Sequence, residues 1–339
     1  MPTLLQVVTN GSGGGSQQIV EAIAEAAIDR GWRSVVAYWS GRAAQSRARY
    51  LRLPFPWPAS LAMALRSIAP SVVQLHGPAA GSVGAAVARI ATRVPVVYTD
   101  HAAFRDRRTV VRYARRLARS LPHVNVAVSN GVARSLVSDA GVDPARVVTI
   151  PNGVPVADAE APGSVPVFGY VGSLRPVKGH DVLVRALARL ASRPEIGVRM
   201  AGEGPERPRI VSLARALGVE ARVELLGFRR DPWEALRGIA AYVHPSRSEG
   251  AALAPMEAMM RGYAVVATAV GAAPDLIGDR GLLVPPGDAD ALAAAMLRLA
   301  DDAALRARMG AAARAFALEH LRIERCVQAY LGLYERLLA

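Results

Sequence analysis

The chain has 339 residues, roughly the length of two domains, and is 52% hydrophobic and 20% charged. That composition excludes a disordered chain. Cys326 is the only cysteine, which excludes an internal disulfide and favours a reducing, cytoplasmic compartment. Residues 67–88 lack charged side chains, but prolines and glycines interrupt them, and no basic segment precedes residues 4–9. We therefore expect neither a membrane span nor a signal peptide.

The net charge of +13 is distributed unevenly along the chain. Residues 1–160 contribute +9, from 18 basic and 9 acidic side chains, and the remainder contributes +4, from 23 and 19. Such an excess suggests an anionic partner for the first part: a membrane surface, a phosphorylated substrate or nucleic acid. The alternative is a general solubility charge. Alanine is abundant and Lys178 is the only lysine, a pattern that indicates a GC-rich genome.

In chain order, short apolar runs alternate with segments of helical periodicity. Before residue 151 the runs predict buried parallel strands at 4–8, 34–39, 72–75, 94–98, 124–128 and 147–150. Between them the periodicity predicts helices at 16–30, 58–68, 80–92, 105–121 and 130–140. Ser129 or Asn130 is suited to cap the last of these helices.

Residues 151–166 contain several prolines and little periodicity, which indicates a linker. Beyond it, strands are predicted at 167–171, 197–201, 222–226, 241–244, 264–267 and 281–284, alternating with helices, and two helices at 302–317 and 320–338 close the chain. Alternation on both sides of a linker predicts two doubly wound α/β domains facing a cleft. Ligands of such sheets bind at the carboxyl ends of the strands, so functional residues are expected in the loops that follow strands.

The loop after the first predicted strand is rich in glycine, with the sequence NGSGGGS at 10–16. It lacks the spacing of a dinucleotide-binding fingerprint, and the second strand ends without the acidic residue that would hold a ribose, which argues against NAD. Glycines there still let the backbone approach a ligand closely, with amides at a helix start directed at it. The alternative is a simple tight turn.

The segment GSLRPVKG at 172–179 follows a predicted strand and precedes a predicted helix. It is not a P-loop, because Lys178 precedes the second glycine and no Ser or Thr follows for magnesium. A lysine at the end of a strand offers a compact charge to a phosphate oxygen. Because this chain uses arginine at every other basic position, a functional lysine is favoured over an ordinary surface residue.

The segment EGAALAPME at 249–257 follows the predicted strand 241–244. Pro255 suits the first turn of a helix, which predicts a loop over 250–254 and places Glu257 in the first helical turn. Free amides of that turn could bind an anion, with Lys178 supplying the countercharge. The helix dipole is an alternative explanation of Glu257, although no Ser or Thr at 254 completes a capping box.

Other candidates are weaker. Asp288 and Asp290 form a D-x-D pattern, by which some sugar transferases hold a metal, but they open a predicted helix at 288–300 and capping explains them. His76 and His101 each follow a strand in the first domain, where a general base or a hydroxyl contact is useful. No paired Cys or His spacing near them indicates a metal site.

From about residue 167 onward the sequence resembles the retaining glycosyltransferases of family 4, which have the GT-B fold. The matching segments occur in the family's order: YVGSLRPVKG at 170–179, MAGEGP at 200–205, VELLGF at 223–228, HPSRSEG at 244–250, the E-x7-E pair Glu249 and Glu257, AVVAT at 264–268 and GLLVPPGD at 281–288. The first domain is similar in Gly14 and Gly15 and in VVTIPNGV at 147–154. The resemblance implies an acceptor-side domain over 1–155, a nucleotide-sugar-binding domain over 156–319 and a final helix, 320–339, that crosses back to the first domain.

The resemblance also implies roles for single residues. Lys178 would hold the diphosphate, Glu257 the ribose and Glu249 the sugar. Glu203 and Phe228 would lie by the base, and His101 near the sugar and the reacting centre. The donor-binding set is Gly14, Gly15, Ser173, Arg175, Lys178, Glu203, Phe228, Glu249, Gly250, Ala251, Ala252, Leu253 and Glu257, with Lys178, Glu249 and His101 taking part in catalysis. The family commonly has Arg where Ser173 stands, so Arg175 is a candidate for the same phosphate, and it commonly has Phe-Gly at 251–252.

The sequence thus predicts a retaining glycosyltransferase that moves a sugar from a nucleotide-diphosphate sugar to a hydroxyl of a polysaccharide, lipid-linked or small natural-product acceptor. It would need no cofactor and no essential metal, because fixed cations stabilise the leaving diphosphate. A nucleotide-sugar epimerase of the same fold and a non-catalytic nucleotide-sugar binder are the alternatives.

The segment 105–121 adds a second partner to this prediction. Its apolar stripe lies beside a stripe of arginines that ends at Arg119, and it resembles the basic face with which some family members touch anionic lipid. A solvated face packed by its apolar side is the favoured interpretation, and a peripheral contact with an anionic membrane is the alternative. No nucleic acid partner is expected.

Overall fold

The computed structural model describes residues 1–10, 15–77, 80–101 and 119–339. The chain divides into two compact units. Unit 1 comprises Met1–Gly153 together with Ile323–Ala339, and unit 2 comprises Val154–Arg322. The boundaries between the units therefore follow Gly153 and Arg322, whereas the sequence predicted them after residues 155 and 319.

Unit 1 is built on a seven-stranded parallel sheet in the order β3-β2-β1-β4-β5-β6-β7. Its strands are β1 Thr3–Asn10, β2 Arg33–Ser40, β3 Arg49–Arg52, β4 Val72–His76, β5 Val96–Asp100, β6 Val124–Ala127 and β7 Val147–Thr149. Its helices are α1 Gly15–Asp29, α2 Trp57–Ile68, α3 Ala85–Ala91, α4 Asn130–Ser138 and, from the end of the chain, α12 Ile323–Leu338; short turns of π-helix at Ala80–Gly84 and of 3₁₀-helix at Pro144–Arg146 accompany them.

Apolar runs become the central strands of this sheet because both of its faces are covered. Every residue of β4 and β5 is buried. Helix α12 packs on unit 1 through the buried Tyr330 and Tyr334, whose hydroxyls lie 3.2 Å from Thr99 Oγ1 and 3.1 Å from Gln74 Oε1. The last helix is therefore part of the core of unit 1.

Strand β3 was not predicted from the sequence. It lies at the edge of the sheet and pairs in parallel with β2 alone. Arg49 and Arg52 are exposed at its two ends. An edge strand buries little surface, so its sequence carries no apolar run by which it could be found.

Unit 2 contains a six-stranded parallel sheet in the order β10-β9-β8-β11-β12-β13. Its strands are β8 Val167–Val171, β9 Gly197–Ala201, β10 Val223–Gly227, β11 Ala241–His244, β12 Val265–Thr268 and β13 Leu282–Val284. Its helices are α5 His180–Arg189, α6 Arg207–Ala216, α7 Pro232–Ala235, α8 Leu253–Met260, α9 Ala273–Ile277, α10 Ala289–Asp301 and α11 Ala303–His320, with 3₁₀ turns at Pro176–Lys178, Glu220–Arg222 and Gly278–Arg280.

Capping side chains fix two of the predicted helix starts. Ser129 Oγ accepts a hydrogen bond from Val132 N at 3.2 Å and caps α4. Asp288 accepts from Ala291 N at 2.9 Å and caps α10, while Asp290 forms an exposed ion pair with Arg189 at 2.7 Å. The D-x-D pattern therefore has the structural role expected for it. Within the described ranges, the helices all fall short of the length and apolarity needed to cross a membrane.

Candidate functional site

The strand order of unit 2 contains a topological switch point between its two central strands. From β8 the chain continues outward to β9 and β10, and β11 then starts on the other side of β8. The loops that leave β8 and β11 therefore start side by side at the carboxyl edge of the sheet, the place where α/β sheets bind ligands. Lys178 follows β8 and Glu249 follows β11, so both predicted residues lie at this point.

Lys178 is placed by close packing of these two loops. It ends the 3₁₀ turn Pro176–Lys178, and Gly179 takes a left-handed conformation with φ +69°. A Cβ on Gly179 would lie only 2.1 Å from Pro245 O, so a glycine is needed for this approach. Lys178 Nζ forms an ion pair with Glu249 Oε1. The structure thus brings together the two residues expected at the diphosphate and at the sugar.

A second ion pair joins the loop after β11 to the start of α5, close to Lys178. The guanidinium of Arg247 donates to both carboxylate oxygens of Asp181, each at 2.7 Å. Asp181 lies in the first turn of α5, and the hydrogen bond from Arg247 lowers the pKa of its carboxyl group. Because bidentate pairs hold a fixed geometry, this contact keeps the Lys178 loop against the Glu249 loop.

Glu249 lies in a polar group with three partners, which we call the Glu249 cluster: Lys178, His244, Ser246 and Glu249. Besides Lys178, Glu249 Oε1 accepts from Ser246 Oγ at 2.8 Å and lies 3.1 Å from His244 Nε2. Burial alone would raise the pKa of Glu249, but the hydrogen bond from His244 and the charge of Lys178 outweigh it and lower the pKa to about 2. Glu249 is therefore ionised and can only accept hydrogen bonds.

The loop after β12 packs against the backbone of Glu249 and Gly250. Gly271 has φ +57°, and a Cβ on it would lie 2.3 Å from Glu249 O and 2.6 Å from Gly250 O. Ala272 N also donates to Gly250 O at 2.8 Å. This backbone support leaves the Glu249 carboxylate little freedom to move.

The start of α8 differs from the prediction. The helix begins at Leu253, with Ala252 as its N-cap, so Leu253 and Ala254 are helical and only 250–252 remain in the loop. Proline is tolerated throughout a first helical turn because those amides have no intrahelical acceptor, and Pro255 occupies the end of that turn. Glu257 therefore lies in the second turn, and the prediction that placed it in the first was wrong.

Glu257 also differs from Glu249 in its environment. Its Oε2 accepts a hydrogen bond from Trp233 Nε1 at 2.9 Å, and Arg261 lies over the indole ring at 4.7 Å. Burial raises the pKa of the Glu257 carboxyl group, although the hydrogen bond from Trp233 opposes this. The two glutamates of the E-x7-E pair are thus electrostatically distinct.

The residues expected near the base occupy neighbouring loops of the same sheet edge. Glu203 follows β9 and Phe228 follows β10, and the loops are joined by Gly202 N donating to Gly227 O at 2.9 Å. Glu203 is exposed and pairs with Arg207 at 2.9 Å. Phe228 is 75% exposed, which is unusual for so large an apolar ring and is suited to stacking.

Ser173 and Arg175 are both exposed in the loop after β8, ahead of Lys178. Gly250, Ala251 and Ala252 form the loop that leads into α8, and Gly250 is buried. These residues lie on the loops that carry the Glu249 cluster. Their contact with a donor stays a prediction.

In unit 1 the predicted residues follow three neighbouring strands. Gly15 is the first residue of α1, after β1, while Gly14 lies outside the described residues. His76 ends β4 and His101 follows β5, and His76 Nδ1 lies 3.2 Å from His101 Nε2. Burial lowers the pKa of His101 to about 4, so its ring is neutral at neutral pH.

The basic stripe predicted over 105–121 falls mostly on residues 102–118, outside the described ranges. Arg119 is described, and it does not belong to an exposed stripe. Its side chain is 7% exposed and pairs with Asp100, which is 5% exposed, with Arg119 Nε donating to Oδ2 at 3.0 Å. The sequence stripe could not show this buried partner. A membrane contact through the remaining arginines stays a prediction.

The partners that orient the two glutamates were not predicted from the sequence. His244 and Ser246 lie within the segment HPSRSEG at 244–250, and Trp233 lies outside every motif. The position of His244 could have indicated its role, because it is a polar residue at the buried carboxyl end of a central strand. Because strand ends of this kind meet at the switch point, such residues are candidates for orienting a ligand-binding side chain.

Comparison with known proteins agrees with this architecture. The family model described as Glycosyl transferases group 1 matches residues 157–316, and the model described as Glycosyltransferase Family 4 matches residues 13–158. The chain therefore belongs to glycosyltransferase family 4, the family that its motifs resemble.

Individual curated relatives match only part of this chain. The chain is 34% identical over 208 residues to a D-inositol 3-phosphate glycosyltransferase of Kribbella flavida, covering 53% of this chain and 49% of the relative. It is 31% identical over 167 residues to an N-acetyl-alpha-D-glucosaminyl L-malate synthase of Bacillus anthracis, covering 49% and 44%. The matches thus span about half the length of these curated relatives.

Among solved structures, Anabaena HepE in complex with UDP-glucose superposes with a TM-score of 0.88 at 23% identity, covering 98% of this chain and 99% of that one. At this identity the likeness concerns the fold. The chain has the GT-B fold of two Rossmann-like α/β domains.

Proposed function

We propose that this protein is a retaining glycosyltransferase that transfers a sugar from a nucleotide-diphosphate sugar to a hydroxyl group. The observation that carries the proposal is the meeting of Lys178 with Glu249 at the switch point of unit 2. A cation and an ionised carboxylate, both largely buried, pair there at the carboxyl edge of the sheet. That arrangement suits a ligand with a diphosphate at one end and hydroxyl groups at the other.

Lys178 would bind the diphosphate of the donor. In the free protein its ammonium is neutralised by Glu249, and phosphate oxygens would share or replace that partner. The first turn of α8 lies on the adjacent loop, and its amides have no intrahelical acceptor, so those of Ala252 and Leu253 would add donors to the same phosphates. The positive charge would be largest where the leaving group gains negative charge.

The remaining donor groups follow the order of the loops. Glu257, held by Trp233, would accept hydrogen bonds from the ribose hydroxyls, and Glu249 would accept them from the sugar. The exposed ring of Phe228 would stack on the base beside Glu203. Each assignment needs only an accepting carboxylate or an open aromatic face, which is what these side chains offer.

In the proposed reaction, the acceptor hydroxyl attacks the anomeric carbon from the face that the diphosphate leaves. The bond between that carbon and the phosphate oxygen breaks, and its electron pair stays on the oxygen. The hydroxyl proton passes to an oxygen of the β-phosphate. The products are a nucleoside diphosphate and a glycoside of unchanged anomeric configuration.

The test begins with the whole chain and a panel of nucleotide sugars in thermal-shift assays, with UDP-glucose first because the structurally similar HepE binds it. Stabilising donors are then incubated with hydroxyl acceptors, including inositol 3-phosphate and L-malate, which the names of the two curated relatives suggest. Nucleotide release that depends on acceptor, with a product whose proton NMR shows the donor's anomeric configuration, supports the proposal.

The same assay distinguishes the alternatives. An epimerase would convert the sugar without an added acceptor, and a non-catalytic binder would be stabilised by a donor without releasing nucleotide. Since Lys178 supplies the cation at the leaving group, we also expect activity to persist in EDTA. Loss of activity in EDTA that Mg²⁺ restores would contradict this part of the proposal.

A further inference from the structure

A buried polar chain links the first strand of unit 1 to His101. Gln6 in β1 is 0% exposed and His76 at the end of β4 is 4% exposed. His76 Nε2 lies 3.1 Å from Gln6 Oε1, and His76 Nδ1 lies 3.2 Å from His101 Nε2. Strands β1 and β4 are the pair at the topological switch of this sheet. These three polar side chains therefore lie where unit 1 is expected to bind a ligand.

The orientation of the Gln6 amide is fixed by its other contact. Gln6 Nε2 donates to Val20 O at 2.9 Å, in the interior of α1. A backbone carbonyl can only accept, so the amide nitrogen must face Val20 and the amide oxygen must face His76. Gln6 therefore presents an acceptor to the ring of His76.

The proton position on each ring follows in turn. Burial lowers the pKa of His76 well below its usual value, so His76 is neutral and has one N–H. Because Gln6 Oε1 accepts, that N–H is at Nε2, which leaves a lone pair at His76 Nδ1. His101 Nε2 must then be the donor of the 3.2 Å contact. His101 is neutral as well, so its lone pair is at Nδ1.

We propose that Gln6 and His76 are positioning residues that hold His101 as its Nε2–H tautomer, so that Nδ1 accepts a hydrogen bond from a substrate hydroxyl. The substrate half of this proposal rests on the proposed function, whereas the tautomer does not. Asp100, which precedes His101 in the chain, is paired with Arg119. A lone pair at Nδ1 suits a sugar or acceptor hydroxyl and is unsuited to a phosphate oxygen, which needs a donor.

The test is a long-range ¹H–¹⁵N correlation spectrum of the whole ¹⁵N-histidine-labelled protein at pH 7.5, which distinguishes the two neutral tautomers and the charged ring. The His101 signals are identified by their loss in His101→Asn. We expect both His76 and His101 to carry the proton on Nε2. A proton on Nδ1 of His101 overturns the proposal, and this measurement requires neither activity nor a folded Gln6 variant.

A matched pair of variants then tests the positioning role. Gln6→Leu removes the acceptor for His76, while Val20 O keeps its helical hydrogen bond. Gln74→Leu makes the same change in β4, where Gln74 contacts Thr99 and Tyr334 and neither histidine. We expect Gln6→Leu to mix the tautomers of His101 and lower kcat about tenfold at an unchanged donor KM, while Gln74→Leu keeps the tautomer.

Two further outcomes are decisive. A similar loss of kcat in both variants, or a mixed tautomer with normal kcat in Gln6→Leu, contradicts the positioning role. If the wild-type protein transfers no sugar from any donor, the proposed function fails and the substrate half fails with it. The spectrum still shows whether Gln6 and His76 set the tautomer.

Discussion

The carboxyl edges of the two sheets carry different kinds of polar group at their switch points. In unit 2, Glu249 is ionised, with a pKa of about 2, and is paired with Lys178. In unit 1, the corresponding edge carries a buried glutamine and two imidazoles that burial keeps neutral, since it lowers the pKa values of His76 and His101. The switch point of unit 2 thus holds fixed charges, whereas that of unit 1 holds fixed lone pairs and N–H groups, with the buried charge of Asp100 on the neighbouring strand paired with Arg119.

This difference matches the two kinds of group that a sugar transfer must hold. A departing diphosphate gains negative charge, which a fixed cation stabilises, whereas a hydroxyl group needs only an acceptor whose orientation is set. The charges of unit 2 therefore support its proposed role in binding the donor, and the neutral network of unit 1 supports a role near hydroxyl groups. Variants that change one edge at a time separate these roles.

The largest effect is expected for Lys178→Ala. Removing the ammonium takes away the charge that would stabilise the departing diphosphate, and we expect kcat to fall by about 10²-fold. The hydrophobic core loses no residue, because Lys178 lies in a 3₁₀ turn between β8 and α5. Steady-state kinetics at saturating donor is the measurement, with circular dichroism to show that the variant is folded.

Arg185→Ala is the matched control for this prediction. Arg185 is an exposed cation on α5, the helix that follows Lys178. It should leave kcat unchanged, which separates a local charge from the general basic charge of the protein. Near-normal turnover of Lys178→Ala would mean that Lys178 is not a phosphate ligand.

The next largest effects are expected when Glu249 and Glu257 are changed to Gln one at a time, because the two variants should alter different kinetic constants. Glu249 would contact the sugar, where charge and ring shape change as the bond breaks, so Glu249→Gln should lower kcat by about tenfold. Glu257 would contact the ribose equally in ground and transition states, so Glu257→Gln should mainly raise donor KM. The reverse pattern in steady-state kinetics would mean that the sugar and nucleotide ends are interchanged.

A third prediction concerns His180, a neutral histidine on the charged side of the comparison. It is 2% exposed, neither ring nitrogen has a hydrogen-bond partner among the described residues, and burial lowers its pKa to about 4. The unfolded chain binds a proton here below about pH 6.5 and the folded chain does not, so stability falls as the pH drops from about 6.5 to about 4.

Replacing His180 by Phe should remove this dependence. The variant keeps a ring against Tyr170, whose centroid lies 4.8 Å away, and removes two unsatisfied nitrogens. Between pH 7.5 and 5.5, its unfolding free energy in urea should fall by about 1.4 kcal/mol less than that of the wild type. The control is His320→Phe, at a half-buried histidine of α11, which should behave as the wild type. An equal fall in His180→Phe would show that His180 is not held neutral.

Much of the fold was predictable because burial leaves a pattern in the sequence. The runs 167–171, 197–201 and 241–244 are predicted with the bounds that the structure gives, since strands covered on both faces are mostly apolar. The edge strand β3 buries too little to leave such a run. The start of α8 was misplaced because proline is compatible with several positions of a first turn.

The candidate site was predictable in its charged residues and not in their partners. Lys178 and Glu249 follow strands, and the order of the strands then makes them neighbours. The contacts of Glu249 with His244 and of Arg119 with Asp100 depend on side-chain directions that no spacing encodes. Helical periodicity therefore assigned Arg119 to a solvent face, although its charge is buried against a carboxylate.

The smallest expected effect tests whether Trp233 acts through Glu257. Trp233→Phe keeps an aromatic ring near Tyr242 and Tyr263, whose centroids lie 5.6 Å and 6.4 Å from the indole, but removes the N–H that donates to Glu257. Glu257 would then be less firmly oriented toward the ribose, so donor KM should rise about threefold at an unchanged kcat. The control is Trp32→Phe, which changes a buried tryptophan of unit 1 and should alter neither donor KM nor kcat.

A double-mutant cycle separates this positioning role from simple loosening of the core. If Trp233 acts by orienting the Glu257 carboxylate, its replacement should add little to the KM of a Glu257→Gln variant, because the contact is already altered. Additive increases in KM would show instead that Trp233 affects the donor site independently of Glu257. Because Trp233 Nε1 and Glu257 Oε2 lie 2.9 Å apart, we expect the effects to be strongly non-additive.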